Sequence, residues 1–242
     1  MIQIIKIPAI NGLGNTIGTL KAPDLIEETG IKLNINNSNL EEQQKAIYSE
    51  ALKYLKKGKT IFLGGDHSIT YSTAKAFYKL NKNAFFLIFD AHPDLMSPME
   101  NPTHEEWLRA FIEKTKINPE SIILLGIRKK SANIDDREID YAIKNKIKMI
   151  YPEDFEKNKE ELIKKCNNKD LYVSFDIDAL DNSLANATFY AEKDGLKLDV
   201  LDFLKKLNIK ALDIVEINPD IADPSKTIKI AKDIISTLKA NN

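Results

Sequence analysis

Apolar residues in this chain recur in two patterns. Short dense runs, rich in β-branched and aromatic side chains, occur at Ile2–Ile7, Thr60–Leu63, Phe85–Phe89, Ser121–Ile127, Ile147–Tyr151, Leu171–Phe175 and Ala211–Val215. Such runs suit strands covered on both faces of a sheet. Between them the apolar positions return every three or four residues, which predicts helices over 40–57, 69–80, 104–116, 135–145, 153–165, 198–207 and 225–239. Ile47, Ala51, Leu52 and Leu55 share one face of the first, and Gly58 stops it. Trp107, Leu108, Phe111 and Ile112 form the apolar face of the 104–116 helix. Strand and helix alternate throughout, so the predicted class is α/β: a three-layer α/β/α arrangement around a mostly parallel central sheet. No repeat, low-complexity tract or linker divides the chain, and one domain over 1–242 is expected.

The 242 residues are 43% hydrophobic, enough for a sizeable core, and the formal net charge is −1. That balance argues against a broadly basic surface for nucleic acid. A local patch around Arg128–Lys130 is weighed against an ordinary solvated face, which is the preferred reading. The one cysteine, Cys166, rules out an intrachain disulfide. The opening MIQIIKIPAI has no basic region followed by a long apolar stretch, and no apolar run reaches membrane-spanning length. A soluble, cytoplasmic protein without a membrane or nucleic-acid partner is expected. The glycine-bearing Asn11–Gly18 lacks the spacing of a phosphate loop and reads as a loop at the sheet edge.

The chemistry gathers at strand ends. The run Phe85–Phe89 leads into Asp90, His92 and Asp94, with Pro93 marking the exit from the sheet. If that segment stays extended, residues two apart point the same way, and the three side chains converge. His67 follows Thr60–Leu63 after Gly64-Gly65, Asp176 and Asp178 follow Leu171–Phe175, and Glu216 follows Ala211–Val215. Ligands of open parallel sheets bind beyond such carboxyl ends. Singly, each acid reads as a turn residue or cap and each histidine as a packed or surface side chain. Together, four aspartates in two alternating pairs on buried strands would be costly to desolvate without a cation. Six candidate ligands, His67, Asp90, His92, Asp94, Asp176 and Asp178, exceed what one tetrahedral zinc takes and suit two divalent ions about 3.5–4 Å apart. A carboxylate-rich set with some imidazole favours a harder metal such as manganese.

Three blocks carry a resemblance: Gly64-Gly65-Asp66-His67-Ser68-Ile69-Thr70, Asp90-Ala91-His92-Pro93-Asp94, and Ser174-Phe175-Asp176-Ile177-Asp178-Ala179-Leu180-Asp181. They closely resemble the signature blocks of the ureohydrolase (arginase–agmatinase–formiminoglutamase) family, in the family's order. Leu125-Gly126-Ile127-Arg128 and Asp213-Ile214-Val215-Glu216-Ile217-Asn218-Pro219 extend the similarity over most of the chain. The resemblance implies an arginase-like fold and two Mn2+ per subunit. His67, Asp90, Asp94 and Asp176 would hold one ion, and Asp90, His92, Asp176 and Asp178 the other, with Asp90 and Asp176 bridging. Asp94 would also orient the attacking hydroxide, and Glu216 would grip the guanidinium or amidine of the substrate. His104, ten residues past Asp94, would deliver a proton to the leaving amine; a surface histidine at a helix start is the competing reading. The implied reaction is agmatinase-like hydrolysis of a guanidino C–N bond, releasing urea and an amine. The implied partners are a small guanidino or amidine substrate and copies of the same chain, as a trimer or hexamer.

The chain departs from the family's pattern after the third block. A Thr-Gly-Thr-Pro stretch and paired glycines are replaced by Asn182-Ser183-Leu184-Ala185-Asn186-Ala187-Thr188-Phe189-Tyr190, and only Gly195 is kept. Met96 stands where arginases carry an Asn for the α-carboxylate, which disfavours arginine. Formiminoglutamase-like or arginase-like hydrolysis, and metal binding without turnover, are the alternatives.

Overall fold

The structure, a computed structural model, describes residues 2–12 and 14–240. Met1, Asn241 and Asn242, the ends of the expected 1–242 domain, and Leu13 of the 11–18 loop lie outside the described residues.

Phe85, Leu87 and Phe89 face one layer of helices while Phe86 and Ile88 face the other. This alternation, with every residue of the strand buried, is why its sequence shows no polar break. The strand is β4 (Phe85–Phe89) of an eight-stranded sheet that also contains β1 (Gln3–Ile7), β2 (Ile31–Lys32), β3 (Thr60–Gly64), β5 (Ile122–Leu125), β6 (Lys148–Ile150), β7 (Leu171–Asp176) and β8 (Ile209–Val215). The order is β2-β1-β3-β8-β7-β4-β5-β6, and all pairings are parallel, where a mostly parallel sheet was expected. The two-residue edge strand β2 is too short to leave a periodic signal.

One face carries α1 (Ala22–Ile26), α6 (Phe155–Cys166), α7 (Val200–Leu204) and α8 (Ser225–Ala240). The other carries α2 (Leu40–Leu55), α3 (Ile69–Leu80), α4 (Trp107–Thr115) and α5 (Asp136–Lys144). The arrangement is three-layered, as expected. Asn39 caps α2 through Glu42 N–H, and Asp135 with Glu138 forms a capping box on α5. Among the described residues no helix is long and apolar enough to cross a membrane.

Three expectations are corrected. Residues 104–106 do not begin α4. Thr103 N–H and Oγ both donate to the Glu106 carboxylate, closing a turn that delays the helix to Trp107. The 198–207 helix contracts to α7 because its last residues tighten into i→i−3 bonds, Lys206 N–H to Phe203 O and Leu207 N–H to Leu204 O. The 11–18 loop does not run along an edge: Asn11 N–H and Thr16 Oγ donate to Asp66 Oδ2 (2.7 and 2.8 Å), drawing it over the end of β3.

The register positions the site. Leu63, Ile214, Phe175 and Phe89 form one row across β3, β8, β7 and β4. The residues that leave these four neighbouring strands therefore emerge at one level, side by side.

Candidate metal centre

Each of the four strand ends turns sharply, for a reason written in its own residues. After β3, Asp66 Oδ1 accepts from Ser68 N–H (3.1 Å) and Ser68 Oγ (2.5 Å), and Gly65 lets the chain pass so close that a Cβ would sit 2.2 Å from Ala9 O. After β4, Asp90 Oδ1 accepts from His92 N–H at 2.7 Å; after β7, Asp176 Oδ1 accepts from Asp178 N–H at 2.9 Å. After β8, Glu216 adopts φ +64° and its N–H donates to Gly65 O at 2.9 Å. The 90–94 segment is thus not extended. Asp94 has φ +53°, so its carboxylate converges with Asp90 through a turn rather than through strand alternation.

These turns bring together all six residues expected to bind metal. His67 Nδ1 lies 3.0 Å from Asp90 Oδ2, 3.0 Å from Asp94 Oδ2 and 3.3 Å from Asp176 Oδ2. His92 Nδ1 lies 3.2 Å from Asp178 Oδ2 and 3.5 Å from Asp90 Oδ1. Two groups, His67–Asp90–Asp176 and Asp90–His92–Asp178, each bring their ligand atoms within 4.8 Å of one another, and Asp90 belongs to both.

The remaining contacts orient the donors. His67 Nε2 pairs with Ser174 Oγ at 2.9 Å, and Ser174 Oγ donates to Asp213 Oδ1 at 2.6 Å. Asp213 also accepts from Tyr172 OH and from Thr70 Oγ (3.0 Å). With the hydroxyl proton directed at Asp213, His67 donates from Nε2, which turns Nδ1, the nitrogen that would bind a metal, toward the three carboxylates. Trp107 Nε1 donates to Asp94 Oδ2 at 2.6 Å, and the indole packs 4.8 Å from the His67 ring.

His104 and Glu216 lie in the same cavity, of about 310 Å³, with Met96, Glu105 and Tyr190. Glu216 Oε1 accepts from His67 N–H at 2.8 Å and lies 3.4 Å from His104 Nδ1, while Oε2 is buried without a partner. His104 is buried in a turn, not a surface residue at a helix start. Asn11 Nδ2 holds the strap before it by donating to Asn101 O and Pro102 O, both at 2.9 Å. Burial pushes the His104 imidazole down, but the Glu216 carboxylate, helped by Asp66 and Asp94, lifts it to about 9.

The profile of the Arginase family matches residues 13–240. The chain belongs to the arginase family. Among similar sequences, the mitochondrial guanidino acid hydrolase of Homo sapiens is 27% identical over 215 residues, covering 84% of this chain and 60% of that protein. The agmatinase of Blochmanniella floridana is 28% identical over 168 residues, 66% of this chain and 53% of its own length. The matched stretch thus spans between half and two thirds of these relatives. The structure of a proclavaminate amidino hydrolase from Streptomyces clavuligerus superposes with a TM-score of 0.86 at 22% identity, covering 98% of this chain and 90% of the other, a likeness of fold.

This arginase-family site fits a pair of divalent ions on its own chemistry. His67 Nδ1 and Asp90 Oδ2 are buried and make no hydrogen bond. Burial, then the charges of neighbouring carboxylates, pushes Asp94 and Asp176 well above the usual carboxylate range. Burial opposes a charged His67, yet Asp176, Asp90 and Asp94 hold it well above the usual imidazole range. The cluster demands positive charge, and its four aspartates carry a formal charge equal and opposite to that of two divalent cations.

Sequence reasoning missed four contributors. Ser174 and Asp213 were visible as polar residues interrupting buried strands. Trp107 was assigned to an apolar face, although a buried indole needs an acceptor. Glu192, three residues before Gly195, places Oε1 3.4 Å from His92 Nε2 while accepting from Ser131 Oγ (2.5 Å) and Asn133 Nδ2 (3.0 Å). The solvated face preferred for Arg128–Lys130 holds for Lys129 and Lys130 but not for Arg128. Arg128 is buried, and its guanidinium donates to the carbonyls of Gly126, Asp178, Ala179, Leu180 and Lys193, bracing the turn that carries Asp178.

Proposed function

We propose that this chain forms a single catalytic domain that hydrolyses a guanidino C–N bond with two manganese ions, in the manner of an agmatinase, releasing urea and an amine. The observation that carries this reading is one cavity holding both an imidazole nitrogen surrounded by three carboxylate oxygens and a separate buried carboxylate oxygen without a partner. His67, Asp90, Asp94 and Asp176 would hold one ion, and Asp90, His92, Asp176 and Asp178 the other. Bound there, the ions would supply a nucleophile from water at neutral pH and positive charge beside the carbon under attack.

The chain's own groups do the rest. Glu216 is fixed by His67 N–H through Oε1, which leaves Oε2 free for the forked N–H donors of a planar guanidinium. The Asp94 carboxylate, held by the Trp107 indole, would orient the attacking water. Glu216 favours the protonated form of His104, whose buried Nε2 has no hydrogen-bond partner, so this imidazole is the group placed to protonate the departing amine. Tyr190 lies 5.4 Å from the His92 ring and 6.0 Å from the His104 ring, packed beside both. Met96 offers no donor for an α-carboxylate, which favours agmatine over arginine.

The test is urea release from agmatine, arginine and 4-guanidinobutyrate by chelated protein reloaded with manganese. Urea from agmatine is expected. Full metal loading without urea from any of the three would overturn the reading.

A further inference from the structure

The outer part of the cavity has a charge pattern that neither the metal ligands nor Glu216 accounts for. Among the described residues that line it, none is a lysine or arginine. Its acids are not equivalent. Asp135 is engaged by Arg137 (Nη2 to Oδ2, 2.6 Å), and the buried Glu138 accepts from Leu95 N–H at 2.8 Å and Asp135 N–H at 3.2 Å. Glu105 differs. Its side chain is 48% exposed at the mouth, and its nearest charged neighbour is His104 Nε2 at 3.8 Å, beyond hydrogen-bonding range.

The backbone holds Glu105 in this position. Its carbonyl accepts from Met96 N–H at 3.3 Å and its N–H donates to Thr103 Oγ at 3.3 Å, so both sides of the mouth fix it. Tyr190 lines the same cavity. An ammonium entering here would meet a half-exposed carboxylate that no hydrogen bond occupies, and a phenol ring. A carboxylate would meet no lysine or arginine and would face Glu105 as a like charge, with the His104 imidazole already shared between Glu105 and Glu216.

We propose that Glu105, with Tyr190 beside it, is a specificity-determining residue for the far end of the substrate. It selects guanidino compounds that carry a second, cationic group and disfavours those that end in a carboxylate. This inference rests on the guanidino reading of the inner site and adds the chemistry of the tail. Because Glu105 is half exposed, its effect is a bias, expressed in binding rather than in the chemical step.

Two ligand pairs with identical carbon chains test it on the manganese-loaded full chain. 4-Guanidinobutylamine and 4-guanidinobutyrate are compared by kcat/KM, and 1,4-diaminobutane and 4-aminobutyrate, which carry no guanidino group, by calorimetric binding. The wild type should favour the amine of each pair. Glu105→Gln should reduce that preference about three- to tenfold through KM and Kd, and Glu105→Lys should reverse it. A merely structural role would change both members of a pair equally. Melting curves check folding, with Glu105→Ala replacing any variant that fails it. An amine preference unchanged in these variants, a wild-type preference for the carboxylates, or no binding of either tail overturns the proposal. Glu105-dependent binding of the diamine without hydrolysis of either guanidine would uphold it and overturn the hydrolase reading instead. Hydrolysis of both guanidines at a ratio indifferent to Glu105 would do the opposite.

Discussion

Ser174 and Asp213 face each other across β7 and β8, with the serine hydroxyl donating to Asp213 Oδ1 at 2.6 Å while its oxygen pairs with His67 Nε2 at 2.9 Å. The pair sets the tautomer of a histidine that would bind metal through its other nitrogen. Ser174→Ala removes the link and leaves Asp213 with one acceptor unmet and the imidazole free to rotate. Metal affinity should fall about 10- to 100-fold, with a stability loss of about 1–2 kcal/mol in the metal-free protein. Calorimetric titration with manganese and denaturant melts measure the two separately. An unchanged affinity would show that the serine does not orient His67.

Asp90 is common to both ligand groups, whereas His92 belongs to one. Asp90→Asn should therefore abolish binding of both ions, and His92→Asn should leave one ion tightly bound. Glu216→Gln should keep both ions and lose turnover by about 100-fold, since Glu216 lines the cavity and belongs to neither ligand group. Equilibrium dialysis with elemental analysis gives the stoichiometry. Equal metal loss in the first two variants would mean that the site is not divided in this way.

Much of this could be read from the chain because the sheet is parallel and buried on both faces. The run at Phe85–Phe89 and the helix at Ile69–Leu80 coincide with the observed elements, since uninterrupted apolar residues and helical spacing have few other uses in a domain of this kind. The six clustered candidate ligands were visible for a related reason: singly such residues cap turns, but four acids and two imidazoles at the ends of buried strands together would be costly to desolvate without a cation. What stayed hidden is set by backbone conformation and by long-range neighbours. The left-handed turn at Asp94, the inward rotation of His104 by the Thr103–Glu106 bonds and the strand order that aligns β3, β8, β7 and β4 leave no local pattern. Arg128 was misjudged because a charged residue looks solvated unless the carbonyls that surround it are known.

Arg128 gathers five carbonyls from three separate segments, and Gly195 makes room for it: a Cβ at 195 would lie 2.3 Å from Arg128 Nη2. A lysine cannot reproduce that planar fork. Arg128→Lys should destabilise the protein by about 2–4 kcal/mol, and Gly195→Ala by a comparable amount, because each strands buried carbonyls. Since the carbonyl of Asp178 is among those braced, both variants should also weaken metal binding. Urea unfolding with and without manganese measures both effects. Losses within about 0.5 kcal/mol, the range of ordinary surface substitutions, would mean the brace is dispensable.

His104 contributes to stability with a definite sign. In the metal-free fold its imidazole is raised from 6.5 to about 9, burial opposing and Glu216 prevailing. A group raised on folding stabilises fully below its unfolded value, and that contribution disappears as pH rises through the folded one. The imidazolium should therefore add about 2–3 kcal/mol below pH ~6.5 and nothing above pH ~9. His104→Asn should narrow the difference between melting temperatures at pH 6 and pH 9.5, and Glu216→Gln should do the same by removing the partner charge. NMR titration of the His104 ring gives the value directly. A midpoint near 6.5 in the metal-free protein would show that Glu216 does not hold this proton, and the assignment of His104 as the proton donor would go with it.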